Sequence, residues 1–349
     1  RRALERAASN IRTVHEAFKP QAREVTTGDG AVIGRRPDAL RRVGVYAPGG
    51  RATYPSSLLM GAIPARVAGV REVIVCTPPD ASGAPSAVLL AAAAIAGVDR
   101  VFAVGGAGAV AAMAYGTASI PAVDRIVGPG NAYVAEAKLL VSGVVGIDSP
   151  AGPSELLVLA DASASPAVIA REMLAQAEHD PVAAVVLVTD APALVAHVRR
   201  ELEARVTAEP RAEIIRAAFA ARGGLITVAS LVDAVDFANS WAAEHLLLAV
   251  APTLQDRVLA ELRGAGTVFV GETASVAFGD YMSGANHVLP TGGLARVWSG
   301  LSTLDFVRWT TWQRIDRDAA RRLARDVDVF ATAEGLPAHA AAARQWEGA

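Results

Sequence analysis

The apolar positions of this chain recur with two different periods. Over the first residues, RRALERAASNIRTVHEAF, the side chains Leu4, Ala7, Ala8, Ile11, Val14 and Phe18 return every three or four positions, which predicts an amphipathic helix. From residue 43 onward, short continuous runs of Val, Ile and Leu alternate with longer Ala-rich stretches. VGVYAP (43–48), EVIVC (72–76), RVFAVGG (100–106) and RIVGPG (125–130) are expected as strands, and ELLVLAD (155–161), AAVVLVTD (183–190), LITVAS (225–230) and TVFVG (267–271) continue the series. Strands without polar alternation, separated by helices, form parallel sheets covered on both faces. The predicted class is α/β with two Rossmann-like parallel-sheet domains. About eight strands at uneven spacing suit two such sheets better than the equal units of a barrel.

Beyond residue 300 the strand pattern stops. DRDAARRLARDVDVFATAEGLPAHAAAARQW (316–346) reads as two helices, with Gly335 closing the first and Pro337 opening the second. A helical tail of this size has little core of its own. It is therefore expected to pack on its own sheet domain or on a second subunit.

Composition removes several classes of function. The 33 Lys and Arg against 35 Asp and Glu are scattered, so no basic face exists for a phosphate backbone and nucleic acid is excluded as a partner. The longest apolar run, Ala87–Val98, falls short of the roughly 20 residues that span a bilayer. Residues 101–115 are broken by Gly105, Gly106 and Gly108. The first residues lack the apolar segment of a signal peptide, and Arg1 in place of an initiator Met is compatible with a preceding piece. Cys76 is the only cysteine, which forbids an intrachain disulfide or a thiolate zinc site and fits a reducing, cytoplasmic compartment.

Candidate chemistry gathers at element boundaries. In SPAVIAREMLAQAEHDP, Ser165 and Pro166 open a helix that Pro181 closes, so Gln176 and His179 lie three apart on one face and can address one ion. A QxxH alone is more often a solvated helix end. In WAAEHLLLAV, Glu244 and His245 pair a carboxylate with an imidazole, as general-base chemistry requires. Against that stands their place at the start of a strand, since open α/β sheets usually bind ligands at carboxyl ends. The glycine-bounded segment GDYMSGANHVLPTGG (279–293) supplies Asp280 and His287, and the tail supplies Glu334 and His339. His15 and His197 fall within helices and read as surface or packing residues. Asp, His and Gln without thiolate suit Zn²⁺ or a neighbouring divalent ion. The turns GPGNAYVAEAK (128–138), YAPGGRATYPSS (46–57) and VGGAGA (104–109) could receive phosphate on free N–H groups, although none is a GxGxxG fingerprint.

In their order, VGVYAPGG, GPGNAYV, AGPSELLVLAD, LAQAEHD, AAEHLLL, GDYMSGANHVLPTGG and AEGLPAH, these motifs resemble histidinol dehydrogenase from about residue 3 to the C-terminus. Members of that family usually carry a longer N-terminal segment. The resemblance implies a homodimer with intertwined subunits that oxidises L-histidinol to L-histidinal and then to L-histidine, reducing one NAD⁺ at each step. It assigns Gln176, His179, Asp280 and His339 to zinc and Glu244 and His245 to proton transfer. Ser154, His287 and Glu334 fall on the substrate side with these groups, and Ser56 lies nearby. Tyr46 and Asn131 match positions for NAD⁺, as does Gly108, where the family commonly has Gln. The implied domains are 1–45 with 155–300, carrying most zinc and substrate residues; 46–154, carrying the NAD⁺ turns; and a helical tail, 301–349, swapped between subunits. Two other readings are a zinc- and NAD-dependent dehydrogenase of another small alcohol, and a zinc hydrolase in which Glu244 activates water.

Overall fold

The computed structural model describes residues 1–49 and 53–348; Gly50, Arg51 and Ala52 of the predicted glycine turn 46–57 lie outside them. Helix α1 (Arg2–Ala17) is followed by strands β1 (Arg23–Thr26) and β2 (Val32–Ala39). A first βα series then runs β3 (Arg42–Tyr46), α2 (Pro55–Ala68), β4 (Glu72–Thr77), α3 (Ala87–Ala96), β5 (Arg100–Ala103), α4 (Gly106–Tyr115), β6 (Arg125–Val127), α5 (Ala132–Val141) and β7 (Gly146–Ile147). A second series runs β8 (Glu155–Ala160), α6 (Pro166–Ala177), β9 (Ala184–Thr189), α7 (Pro192–Val206), α8 (Ala212–Arg222), β10 (Gly223–Thr227), α9 (Leu231–Trp241), β11 (His245–Ala249), α10 (Pro252–Glu261), β12 (Thr267–Val270) and α11 (Val276–Tyr281). Strand β13 (Val307–Arg314) and helices α12 (Arg317–Ala333) and α13 (Pro337–Arg344) complete the order.

The chain divides into two compact units. The first holds residues 1–18 and 40–306 and contains both parallel sheets expected from the pattern. Among the described residues their orders are β5-β4-β3-β6-β7 and β10-β9-β8-β11-β12, all pairs parallel. Each series thus starts at a central strand, winds outward, then reverses, the doubly wound arrangement with a switch point between its first and fourth strands. Both sheets are open, so the barrel alternative falls. The central strands are apolar on both faces: Val43 and Val45, and Leu156 through Leu159, are wholly buried. Helix α1 packs on α2 and α3 through Ala7, Ala8 and Ile11. Phe18, expected on that face, lies past the helix end and is exposed.

The second unit holds residues 19–39 and 307–349. Its antiparallel sheet has the order β1-β2-β13, beside the helical hairpin α12–α13. Trp312 lies flat over Gly34, where any Cβ would collide with the indole, and Arg35 stacks on Trp309 at 4.5 Å. Arg322 of α12 donates two hydrogen bonds to the Asp29 carbonyl, at 3.0 and 2.8 Å.

Two expected boundaries are therefore corrected. Residues 1–45 do not join the sheet of 155–300: α1 packs on α2, residues 19–39 pair with 307–314, and β3 is the central strand of the other sheet. Residues 301–349 are not helical throughout, because β13 occupies 307–314.

Candidate active site

The second sheet collects its polar groups at the amino edge. Glu155 and His245 are the first residues of β8 and β11, which are hydrogen-bonded neighbours, with Ser154 and Glu244 immediately before them. Helix α6 runs back from the carboxyl end of β8 and delivers Gln176 and His179 toward β9, while α11, after β12, carries Asp280 in its last turn. A βαβ connection must return its helix to this edge, so boundaries far apart in sequence arrive together. The expected helix through Pro181 ends at Ala177, with His179 in the following turn, its N–H on the Gln176 carbonyl.

His245 is buried, and its Nδ1 lies 3.1 Å from the Glu155 carbonyl and 3.4 Å from Glu244 Oε2. A carbonyl can only accept, so Nδ1 carries the hydrogen in the neutral ring and Nε2 is the basic nitrogen. Nε2 has no hydrogen-bond partner and faces Asp280 Oδ1 at 3.8 Å. Burial works to lower the His245 pKa, but the Glu244 and Asp280 carboxylates outweigh it and push it up to about 9. Burial would raise Glu244 in turn. The neighbouring imidazole, the Glu155 N–H at 2.8 Å and the Ser154 hydroxyl hold it below the usual carboxylate range.

Asn286 and His287 serve different ends within the glycine-bounded segment. His287 Nδ1 donates to the Asp280 carbonyl at 2.8 Å and Nε2 lies 3.2 Å from Ser57 Oγ, so both ring nitrogens are engaged. Asn286 donates to the Met60 carbonyl at 2.8 Å, which anchors the segment to α2. Ser56 and His179 line a cleft of about 350 Å³ with Tyr54, Leu59, Arg211 and Tyr281. Burial first, then Asp280, Glu178 and Tyr54, push the Tyr281 phenol up. A second cleft of about 390 Å³, beside Arg199, Arg216 and Phe219, contains none of the predicted residues.

Glu155 and Thr291 did not stand out in the sequence. The Glu155 carboxylate accepts the N–H of Gly292 at 3.0 Å and of Glu244 at 3.4 Å, and Thr291 Oγ1 accepts the Gly152 N–H at 2.5 Å. Together they clamp AGPSE to LPTGG. A carboxylate opening the otherwise apolar strand ELLVLA was the available signal, because an unpaired charge is rarely buried there.

Tyr46, Gly108 and Asn131 lie on the other parallel sheet. Tyr46 ends β3, is buried, and its hydroxyl accepts the Gly106 N–H at 3.0 Å. Asn131 caps α5 by accepting the Val134 N–H at 3.1 Å. Gly108 sits exposed in the first turn of α4. Glu334 and His339 belong to the second unit, where both are exposed around the turn between α12 and α13. His15 is buried on α1, and His197 is exposed on α7.

Comparison with known proteins gives a consistent result. The family model described as histidinol dehydrogenase matches residues 1–345. The chain is similar to histidinol dehydrogenase of Natronomonas pharaonis, 53% identical over 342 residues, covering 97% of this chain and 80% of that protein. That of Halobacterium salinarum is 51% identical over 340 residues, covering 97% and 79%. The crystal structure of histidinol dehydrogenase from Elizabethkingia anophelis superposes with a TM-score of 0.96 at 36% identity, over 99% of this chain and 80% of that one.

Proposed function

Because the chain belongs to the histidinol dehydrogenase family, we propose that the cluster around His245 is where L-histidinol is oxidised through L-histidinal to L-histidine, the last two steps of histidine biosynthesis. The enzyme is an NAD-linked oxidoreductase. The single observation that carries the assignment is the unpartnered, buried Nε2 of His245, aimed at Asp280 with Glu244 behind the ring. His245 takes the alcohol proton as hydride leaves the substrate carbon. Glu244, ionised and fixed by three donors, accepts a proton from the water that adds to the aldehyde, and the resulting hydrate loses the second hydride. NAD⁺, held at the turns of Tyr46, Gly108 and Asn131, would supply the hydride acceptor for each step. Ser154, on Glu244, and Ser56, on the cleft wall, stand on the substrate side. His287, held at both nitrogens, links Ser57 to the Asp280 carbonyl, and direct contact with substrate would require Ser57 to release Nε2.

Zn²⁺ fits the donor set of Gln176, His179 and Asp280. Gln176 is buried at the carboxyl-terminal end of α6, where its amide oxygen would be the ligand atom and the helix end carries the partial negative charge that favours a cation. When bound, the metal would orient the substrate's imidazole and amine as a Lewis acid. A cation held there would offset the Asp280 charge that faces His245 Nε2, the nitrogen that accepts the alcohol proton. Among the described residues no three His, Cys, Asp or Glu side chains form a metal cluster, so a further donor is needed. We assign it to His339 of the partner subunit in a homodimer, with Glu334 of the partner subunit beside the substrate. Exposed Val329, Phe330 and Leu336 near these residues support a tail that is covered in the assembly. A cytoplasmic location rests on the lone, buried Cys76; no helix among the described residues is long and apolar enough to cross a membrane.

Purified protein given histidinol is expected to form two NADH per histidine released. Histidinal as the final product would overturn the four-electron reading, and turnover without NAD⁺ would restore the hydrolase one. A smaller effect is expected at Gly108, where a Cβ meets no atom within 4 Å. Gly108→Gln should supply an amide contact worth ~1 kcal/mol and lower the KM for NAD⁺ severalfold. An unchanged KM in the folded variant would mean the loop has no use for the amide.

A further inference from the structure

One buried ion pair has no part in the chemistry above. Lys138 of α5 and Asp148, just after β7, contact each other with both side chains only 3% exposed. Lys138 Nζ donates to the Gly128 carbonyl at 3.1 Å, and Asp148 Oδ2 accepts the Gly128 N–H at 2.7 Å. The pair therefore grips both backbone polar groups of one residue. Gly128 has φ +112°, where a side chain is strained, and a Cβ there would strike the Tyr46 carbonyl oxygen. The turn lies directly on the end of β3. Tyr46 in turn receives the Gly106 N–H, so Lys138–Asp148, Gly128, Tyr46 and Gly106 form one continuous line along the carboxyl edge of the sheet. That line passes through all three turns assigned to NAD⁺.

Fold stability alone gives little reason for such a pair. Desolvating two charges is costly, and apolar replacements of similar volume often fold equally well. What apolar side chains cannot do is hold a residue by its N–H and its C=O at once. We propose that Lys138 and Asp148 are positioning residues for the dinucleotide, fixing the Gly128–Asn131 turn and the start of α5 against β3 in the geometry that binds it. The inference rests on the assignment of Tyr46, Gly108 and Asn131 to NAD⁺.

The test uses zinc-loaded, full-length enzyme and calorimetric titration of NAD⁺ and, separately, histidinol. The variant K138M/D148N is neutral and keeps an acceptor for the Gly128 N–H, but it loses the donor to the carbonyl. NAD⁺ affinity should fall about tenfold while histidinol affinity stays within about twofold. Unchanged NAD⁺ affinity in the folded variant would overturn the proposal, as would parallel loss of both affinities with a lowered melting temperature, the mark of a purely structural pair. If the double variant does not fold, K138Q/D148N, likewise neutral, is read by the same criteria, since a single substitution would leave one buried charge unpaired. Asn131→Ala, titrated alongside, separates the two levels of inference. If it weakens NAD⁺ and the pair variant does not, only the positioning role fails; if NAD⁺ does not bind wild type, or Asn131→Ala leaves it untouched, the assignment of the turns fails and the proposal with it.

Discussion

Replacing His245 by Asn is expected to slow both oxidation steps by about 10²- to 10⁴-fold with the metal retained, the usual worth of a positioned acid–base group. Asn can still donate toward the Glu155 carbonyl that now holds Nδ1, but it brings no basic nitrogen to the side facing Asp280. Glu244→Gln should behave differently. The amide oxygen can keep the 2.8 Å bond from the Glu155 N–H, so the site holds its shape while the carboxylate that activates water is lost. Some loss in the alcohol step is also expected, because Glu244 is one of the charges that raise His245. The discriminating quantity is the ratio of losses, read from single-turnover NADH formation started separately from histidinol and from histidinal. A larger deficit from histidinal supports the water-activating role, and equal deficits with zinc bound would remove it.

The parallel sheets were legible because their strands are buried on both faces, leaving runs such as AAVVLVTD with no polar alternation. The antiparallel sheet was not. Strand β2, VIGRRPDA, contains Pro37 and three charges, and β13, VRWTTWQR, is half exposed, so their pairing is held by indole and guanidinium contacts that leave no apolar period. The same blindness misplaced residues 1–45, since composition does not tell which sheet a segment joins. At the site, residue types at helix and strand junctions pointed to Glu244, His245 and Asp280, which the fold brings within 4 Å of one another through His245. Their position at an amino edge runs against the usual rule for open sheets. The edge can serve because both strands open with acid or imidazole side chains instead of apolar ones. Ser57 and Thr291 were invisible for a different reason: each acts through a single hydrogen bond to a ring or backbone atom distant in sequence, whereas Glu155 showed only as a carboxylate opening an apolar strand.

Chelation of the metal is expected to abolish turnover, and His179→Ala and His339→Ala should each lower zinc content without unfolding the protein. His179 is exposed on the cleft and His339 on the α12–α13 turn, so neither supports a core. Full zinc occupancy in both folded variants would show that the ligands are assigned wrongly. The two variants also test whether a site draws on two subunits. In a homodimer with exchanged tails, a hybrid of one His179→Ala and one His339→Ala subunit places both lesions in one site and leaves the other intact. Random exchange of equal amounts makes half of the dimers hybrid, each with one working site, so about a quarter of wild-type activity should return from two inactive proteins. If each site is built within a single chain, every site in the mixture carries a lesion. Activity that stays at the level of the separate variants, after subunit exchange has been confirmed with differently tagged chains, would therefore assign His339 to its own chain's site.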